Sequence, residues 1–248
     1  MVLCGKNHNG NGLVSRNAGL SRFILIDMKL YNYFRSSASF RVRIALGLKG
    51  LPYDYVPVNL AKGEHLREDY RATAPEVLVP LLEVDGHKMS QSMAIIEYLD
   101  ETRPEPRLLP QDPLGRAQVR ALAQSVACEI HPLNNLRVLK YLSGTLKVEE
   151  DAKNTWYRHW VRLGLESFER QLVAVDALRT AAGHAPSVYC FGATPTLADC
   201  VLVPQIFNAQ RFQTPLDGLP RTMAAFDACM CLQAFQDAQP SNCPDFIS

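Results

Sequence analysis

The sequence has no long hydrophobic run, almost no net charge and no regular framework of cysteines. None of its apolar stretches approaches the roughly 18 consecutive residues that indicate a membrane span. The formal net charge is +1, whereas proteins that bind nucleic acid generally carry clustered lysine and arginine. We therefore expect neither a membrane nor a nucleic-acid partner. The 248 residues are enough for one large domain or two small ones.

The seven cysteines form neither CxxC pairs nor an evenly spaced set. Cys229 and Cys231 make a CxC pair with no histidine nearby, which is too little for a zinc site. We therefore expect no metal site, and reduced thiols in a cytoplasmic protein. The cysteines are Cys4, Cys128, Cys190, Cys200, Cys229, Cys231 and Cys243.

The first 27 residues differ from the rest in composition. They are rich in glycine and asparagine and lack the continuous apolar segment of a secretory signal peptide. Met28 then opens MKLYNYF, which has the pattern of a protein's own start. We interpret residues 1–27 as the product of an upstream start codon or, alternatively, as a disordered tail. The first interpretation is favoured.

Between residues 28 and 103 the patterns of strands and helices alternate. Strands are predicted at 29–34, at 53–60 and on both sides of a hairpin turn at Asp85–Gly86. Helices are predicted at 37–49, 63–73 and 92–102. Pro57 indicates an edge position for the second strand, and Gly50 suits the end of the first helix. This order predicts a small α/β domain at 28–103.

A proline-rich segment at 104–112 is predicted to be a linker, because closely spaced prolines prevent both helix and strand interiors. Beyond it the strand patterns vanish. Helical patterns cover 114–142, 149–182, 196–211 and 219–237. Thr196 and Asp199 have the spacing of a capping box at the start of the third of these helices. We therefore expect an all-α domain at 113–248.

Ser36 and Ser37 lie where the first strand gives way to the first helix. One of them is in any case a candidate N-cap. A serine nucleophile is not supported, because no GxSxG motif surrounds the pair. A hydroxyl and the free N–H groups of a helix N-terminus would instead lower the pKa of a thiol placed there. Since the junction contains no cysteine, that thiol would have to come from a ligand.

The α/β domain, the proline-rich linker and the all-α domain together resemble the cytosolic glutathione transferases. The segment RSSASFRVRIALGLKG resembles the signature of the zeta class of that family. Further segments follow in the family's order: LVPLL, QSMAIIEYLDETRPEPRLLPQD, IHPLNNLRVL, TPTLADCVLVPQ and NAQRF. The resemblance implies an N-terminal thioredoxin-like, glutathione-binding domain followed by an all-helical domain.

The resemblance also implies which residues surround the glutathione sulfur and backbone. It places Ser36 and Ser37 beside the sulfur as catalytic residues, and Ser37, nearer the helix start, is our choice for the hydroxyl that donates to the thiolate. The family often has cysteine at the next position, where this chain has Ala38. We regard that cysteine as dispensable, because glutathione brings the nucleophile. Val79 and Pro80 match a Val–cis-Pro pair that would bind the cysteinyl part.

Four further positions match the family's glutathione contacts. Gln91 and Ser92 match the pair that holds the γ-glutamyl end, and Ser92 is also a natural N-cap for its helix, where a carboxylate is favoured. His65 matches a position that reaches toward the glycyl end, although a lone histidine on a polar helix is as readily a solvated one. His131 and Asn135 match positions of the helical domain that border the same cleft.

The substrate implied by the resemblance is a small dicarboxylate. Arg35, Arg137 and Arg211 stand next to matched motifs and could converge on the cleft, where arginine suits bidentate carboxylate binding. Arg35, beside the serines, is the first choice and is also assigned a catalytic role. Each of these arginines taken alone is better explained as a surface charge, and Arg211 is the last choice of the three. Arg41 and Arg43 are interpreted as structural residues of the first helix.

The activity implied is a glutathione-dependent cis–trans isomerisation of maleylacetoacetate to fumarylacetoacetate, in tyrosine and phenylalanine breakdown. Glutathione would be regenerated in each turnover, a side activity as a transferase is possible, and the protein would be a homodimer. Two alternatives remain open. One is isomerisation of maleylpyruvate in gentisate degradation, which EIHPLNN and the missing cysteine favour, whereas the paired Ser36 and Ser37 favour maleylacetoacetate. The other is a non-catalytic module of the transferase fold that binds a partner protein.

Overall fold

The computed structural model describes residues 27–247. Its strands form one four-stranded sheet in the order β2-β1-β3-β4, with β1 parallel to β2 and antiparallel to β3. β3 and β4 are antiparallel neighbours joined by a tight turn. The strands are β1 (Met28–Asn32), β2 (Asp54–Pro57), β3 (Leu81–Val84) and β4 (His87–Ser90).

Helices make up most of the remainder, and within the described residues none is long and apolar enough to cross a membrane. In the first part of the chain they are α1 (Ser37–Leu48), α2 (Glu68–Thr73), which a 3-10 turn at Glu64–Leu66 precedes, and α3 (Ser92–Thr102). The later helices are α4 (Pro113–Gln124), α5 (Leu136–Gly144), α6 (Glu150–Ala181), α7 (Leu197–Arg211), α8 (Pro220–Met230) and α9 (Gln233–Asp237).

The local signals of the α/β part are confirmed. Pro57 lies in β2, which is an edge strand of the sheet. Gly50 follows α1 with a φ of +61°, the left-handed conformation in which many helices end. Asp85 and Gly86 both have positive φ, as the tight turn of a β-hairpin requires. The expectations for the N-terminal extension fall almost entirely outside the described residues.

Two of the predicted long helices are wrong because each is divided. The segment predicted at 114–142 leaves the α conformation after Gln124, passes through a π turn at Ser125–Ile130 and a 3-10 turn at His131–Asn134, and only then enters α5. Pro132 explains the break, because proline lacks the N–H that an α-helix interior needs and its ring collides with the preceding turn. The segment predicted at 219–237 is divided at Cys231–Leu232 into α8 and α9.

A continuous cluster of buried apolar side chains joins the sheet, α1 and the helical part of the chain. Leu30 of β1 and Ile44 of α1 are fully buried in it. Phe40 of α1 meets Phe207 of α7 edge to face, with the ring centroids 6.1 Å apart. Burying one such side chain contributes roughly 1.5–3 kcal/mol. Because α1 packs on both the sheet and α7, its N-terminus is held in a fixed position between them.

The proline-rich segment is held in place by a buried ion pair. Lys49 Nζ donates to Asp100 Oδ1 at 2.8 Å and to the carbonyl oxygen of Arg103 at 2.7 Å. The Asp100 carboxylate also accepts from the N–H groups of Leu108 and Leu109, at 2.7 and 3.2 Å. This segment therefore follows a fixed path from α3 to α4 and is not a free tether.

The start of α7 has the predicted capping box. Asp199 Oδ2 accepts from both the backbone N–H and the hydroxyl of Thr196, at 2.7 and 2.8 Å. Its other oxygen accepts from the N–H of Cys190 at 2.8 Å. The cysteines among the described residues are free thiols, of which Cys128 and Cys231 are exposed.

Residues near the C-terminus pack against the loop between β1 and α1. Asp245 accepts from the backbone N–H of Phe34 at 3.3 Å and from the hydroxyl of Tyr55. Phe246 meets the Phe34 ring edge to face at 5.6 Å. The buried Arg43 donates to the carbonyl oxygens of Phe34 and Ala238, which confirms that it is structural. This loop is therefore supported from behind by distant parts of the chain.

Candidate active site

The two serines at the start of α1 have different positions and partners. Ser36 is the N-cap, with extended backbone angles, and its Oγ accepts from the N–H of Ser39 at 3.2 Å. Ser37 is the first helical residue and is only 8% exposed. Its Oγ lies 3.1 Å from Nδ1 of His131. The structural role of an N-cap thus belongs to Ser36, and the hydroxyl of Ser37 is left for another use.

His131 reaches Ser37 because the chain leaves the α conformation just before it. The π turn ends at Ile130, and His131 opens the 3-10 turn that Pro132 continues. Burial, followed by repulsion from Arg41 and Arg137, lowers the pKa of His131 to about 3. The imidazole is therefore neutral at ordinary pH. π turns inside helices are frequent at functional sites, and this one delivers a side chain to α1.

The start of α3 is built differently. Gln91 precedes the helix with a φ of +70° and forms no side-chain cap. The prediction that Ser92 is the N-cap is therefore wrong, because Gln91 occupies that position and Ser92 is the first helical residue. A positive φ is costly for any residue other than glycine. The N–H groups of this first turn thus have no side-chain cap, which suits an incoming carboxylate.

Arg41 is hydrogen-bonded to the hydroxyl of Ser92 inside the protein. It is 3% exposed, and its Nη1 donates to Ser92 Oγ at 3.3 Å. Its Nε is buried without a partner, and burial lowers the pKa of the guanidinium to about 10. No carboxylate of a described residue forms an ion pair with it. A buried cation without a counter-ion is expensive, so the interpretation of Arg41 as merely structural is incomplete.

The signal for Arg41 was present in the sequence. Ser37 and Arg41 are four residues apart and therefore lie on the same face of α1. A long charged side chain that shares a helix face with a candidate site residue is itself a candidate for that site. Nothing local, in contrast, could have indicated its partner Ser92, which is 51 residues away.

The remaining predicted glutathione contacts lie in separate parts of the chain. The Val79–Pro80 peptide bond is cis, as predicted. His65 lies in the 3-10 turn before α2, and its Nδ1 is buried without a partner. Burial, then repulsion from Lys140 of α5, lowers the pKa of His65. Asn135 is the N-cap of α5, because its Oδ1 accepts from the N–H groups of Arg137 and Val138 at 3.0 and 3.2 Å. The prediction had not included that role.

The predicted substrate arginines fall into two groups around the serines. Arg35 is exposed and lies over the Phe34 ring, 5.0 Å from its centroid. Arg211, in the last turn of α7, lies within electrostatic reach of Arg35, since partial desolvation and then repulsion from Arg35 lower its pKa. Arg137, in the first turn of α5, is close enough to His131 to lower the pKa of that imidazole.

These side chains create a positive region with no built-in counter-ion. Among residues 27–247, none of the cations Arg35, Arg41, Arg137, Lys140 and Arg211 forms an ion pair with a carboxylate. The helix N-termini of α1 and α3 add positive partial charge. Clustered charges of one sign concentrate an oppositely charged ligand. The site therefore suits a ligand with several carboxylates and an ionisable thiol.

The polar groups without partners can be compared with the functional groups of glutathione, which carries a carboxylate at each end and a thiol between them. Arg41 with the uncapped start of α3 suits one carboxylate. His65 and Lys140 suit the other. Ser37, at the N-terminus of α1, offers a hydroxyl for the sulfur. The residues present fit the group.

Comparison with known proteins agrees with this arrangement. Residues 30–107 match the family model described as the glutathione S-transferase N-terminal domain. The mixed sheet, the cis-proline before β3 and the all-helical second part define the class as glutathione transferase.

Full-length relatives narrow the class. The chain is 49% identical to a maleylpyruvate isomerase of Ralstonia over 88% of its own length and 99% of the relative's. It is 46% identical to a maleylacetoacetate isomerase of Pseudomonas aeruginosa over 88% of this chain and 98% of that one.

Solved structures give the same result. A maleylpyruvate isomerase described as a bacterial zeta-class glutathione S-transferase aligns with a TM-score of 0.82 at 46% identity, covering 88% of this chain and all of that one. A maleylacetoacetate isomerase of Anaeromyxobacter dehalogenans with glutathione in its active site aligns with a TM-score of 0.77 at 41% identity, over 90% of this chain and 99% of that one. The chain belongs to the zeta-class family of maleylacetoacetate and maleylpyruvate isomerases. The resemblance inferred from the sequence is confirmed.

Proposed function

We propose that this protein is a glutathione-dependent isomerase that converts maleylacetoacetate to fumarylacetoacetate. The observation that carries the proposal is the buried Ser37 hydroxyl at the N-terminus of α1, flanked by arginines without counter-ions. A relative 46% identical to this chain carries the name of that isomerase. The arrangement suits a thiol that must be held as a thiolate beside an anionic substrate.

The proposed glutathione site has one group of residues for each part of the tripeptide. Gln91 and Ser92, supported by Arg41, hold the γ-glutamyl carboxylate at the start of α3. Val79 and Pro80 bind the cysteinyl part, and His65 lies toward the glycyl end. Ser36, Ser37, His131 and Asn135 surround the sulfur.

Bound glutathione supplies a thiolate that adds reversibly to the cis double bond, which becomes single, rotates and re-forms as trans when the sulfur leaves. Ser37 stabilises the thiolate by donating a hydrogen bond from its hydroxyl, and the positive end of α1 adds to this effect. Arg35, Arg137 and Arg211 bind the substrate carboxylates and keep the reacting carbon near the sulfur. Their positive charges also stabilise negative charge that develops on the substrate carbonyl.

Maleylpyruvate is the second candidate substrate. Its support is the 49% identity to a maleylpyruvate isomerase and the TM-score of 0.82 to another protein of that name. Both acids present a cis double bond with a carboxylate on one carbon and a ketone on the other, and both carry a second carboxylate at the far end, so the same residues would serve either. Identities of 49% and 46% do not separate the two activities.

The deciding experiment compares turnover of both cis acids by the purified full chain, with and without glutathione. We expect faster turnover of maleylacetoacetate, full dependence on glutathione and recovery of glutathione unchanged. Faster turnover of maleylpyruvate would select the second candidate. Turnover without glutathione would contradict the mechanism. Absence of turnover of either acid would instead favour a non-catalytic binding module.

The cellular setting belongs to the same proposal. We place the protein in the cytoplasm, in tyrosine and phenylalanine breakdown, with a further glutathione transferase activity as a side reaction. Its domains are 28–103 and 113–248, joined by 104–112.

We further propose that the protein acts as a homodimer in which the α/β domain of one subunit meets the helical domain of the other. Sedimentation of a monomer at micromolar concentration would contradict the last point.

A further inference from the structure

The contact between Ser37 and His131 joins α1 to a turn that lies 94 residues later in the chain. The two atoms, Ser37 Oγ and His131 Nδ1, are 3.1 Å apart. Ser37 is buried, and His131 follows directly on the π turn that interrupts the helical segment. The helical part of the chain thus contributes a side chain to the hydroxyl that we assign to the sulfur.

The direction of this hydrogen bond decides what Ser37 can do. A serine hydroxyl has one proton to donate, and neutral histidine has one N–H and one bare nitrogen. If Ser37 donated to Nδ1, its only proton would be used, and it could offer a thiolate nothing. If Nδ1–H donates to Oγ, the Ser37 proton stays free. Since a thiolate can only accept, a bound thiolate selects the second arrangement.

The surroundings of His131 keep its imidazole neutral. Arg41 and Arg137 are the charged groups that act on it, and both disfavour the imidazolium form. A neutral ring held among cations and pressed into the protein is a poor proton carrier at neutral pH. A neutral imidazole can still fix the orientation of a neighbouring dipole through Nδ1.

The geometry points to His131 as a positioning residue, which donates its Nδ1–H to Ser37 Oγ and so directs the Ser37 hydroxyl proton toward the glutathione sulfur. The inference rests on the proposed function only in requiring that glutathione binds in this cleft. Aligned donors polarise each other, so the Ser37 hydrogen bond to sulfur is strengthened by the one behind it. Ser36 Oγ also accepts an N–H, but from the backbone of Ser39 on its own helix, so that side chain serves as the N-cap.

The test compares three variants of the full chain. His131→Leu removes the donor and keeps an apolar side chain of similar bulk. His131→Asn places an amide that can donate near the position of Nδ1. His131→Gln places its amide farther out, near the position of Nε2. The readout is the pKa of the thiol of bound glutathione, followed by the ultraviolet absorbance of the thiolate in the absence of substrate.

We expect His131→Leu and His131→Gln to raise the pKa of bound glutathione by about one pH unit, a tenfold loss of thiolate relative to thiol. His131→Asn should remain close to the unmodified protein. In the Ser37→Ala background, His131→Leu should have no further effect, because the two residues act in series. Melting temperatures of all variants are measured alongside. If His131→Leu does not fold, the comparison of His131→Asn with His131→Gln decides.

An unchanged thiol pKa in His131→Leu would overturn the inference. So would a loss of glutathione affinity with no change in the thiol pKa, since His131 would then be a binding contact only. Failure of the proposed function is distinguishable from both. In that case neither cis acid would be turned over, while the thiol pKa of bound glutathione would still respond to His131→Leu.

Discussion

The start of α1 and the start of α3 each place a buried serine at the first helical position. Ser37 is backed by the neutral His131, whereas Ser92 is backed by the charged Arg41. α1 is capped by Ser36, whereas α3 begins at Gln91 in a strained conformation without a side-chain cap.

The difference matches two kinds of negative charge. A thiolate must remain reactive, and a hydroxyl aimed by a neutral ring stabilises it without a full counter-charge. A ligand carboxylate only has to be held, and free N–H groups with a buried cation behind them bind it strongly. Under the proposed function, the two helix ends would separate a reactive site from an anchoring site.

The largest expected effect follows from Arg41→Met. Loss of the cation behind Ser92 should weaken glutathione binding by roughly 1.5–3 kcal/mol, which is about ten- to 150-fold in Kd. The melting temperature should not fall, because the variant removes a buried charge without a counter-ion. Titration calorimetry measures the affinity, and Arg43→Met, which loses hydrogen bonds to backbone carbonyls, is the control that should destabilise the fold. Unchanged affinity in Arg41→Met would remove the distinction between the two helix ends.

Ser37→Ala should act on the thiol and hardly on affinity. Removing a hydrogen bond to a thiolate costs about 1.5–3 kcal/mol, so the pKa of bound glutathione should rise by about one to two pH units. The pH–rate profile should move to alkaline pH by the same amount, because more base is then needed to form the thiolate. Ala38→Cys is the matched control and should change turnover little. A profile that does not move in Ser37→Ala would show that the hydroxyl does not contact sulfur.

Ser36→Ala should affect stability and leave the thiol alone. An N-cap serine contributes about 1 kcal/mol, so the melting temperature should fall by about 2–4 °C for a chain of this size. The thiol pKa of bound glutathione should stay the same, because Ser36 is the N-cap of α1 and the hydrogen bond to sulfur is assigned to Ser37. A thiol pKa that rises in Ser36→Ala as much as in Ser37→Ala would mean that the two serines share the sulfur.

Gln91→Gly should have the smallest effect on stability, and of the opposite sign. Glycine tolerates a positive φ at lower cost than glutamine does, so the variant should be more stable by about 0.5–1 kcal/mol. Glutathione binding should weaken at the same time, because the amide side chain is lost. Calorimetry and thermal unfolding of the same preparation would show the two quantities moving in opposite directions. A less stable variant would argue that Gln91 is not strained.

Local signals in the sequence predicted much of this site. The Asp85–Gly86 turn, the edge position of Pro57 and the cis bond before Pro80 each follow from one or two neighbouring residues or from the family's motif. The interruption near His131 was also within reach, because Pro132 disfavours a continuous α-helix at that point, although α7 accommodates Pro204 in its interior. The apolar spacing on either side of this interruption is helical, so the pattern alone predicts one continuous helix.

The contacts that give the site its character were not within reach of local patterns. His131 meets Ser37 across 94 residues, and Ser92 meets Arg41 across 51. Each depends on how α1 packs between the sheet and α7, which is a property of the whole core. Residue type narrowed the candidates, but only the fold could decide which serine each nitrogen serves.

The loop before Ser36 also affects how the protein is made. Phe34 offers its N–H to Asp245, and Arg43 reaches the carbonyl oxygen of Ala238, so these partners are separated by 211 and 195 residues. β1 and α1 are synthesised some 200 residues before the partners of these buried polar groups, which stay unsatisfied until those partners are made. The junction of β1 and α1 therefore exists well before it can become rigid.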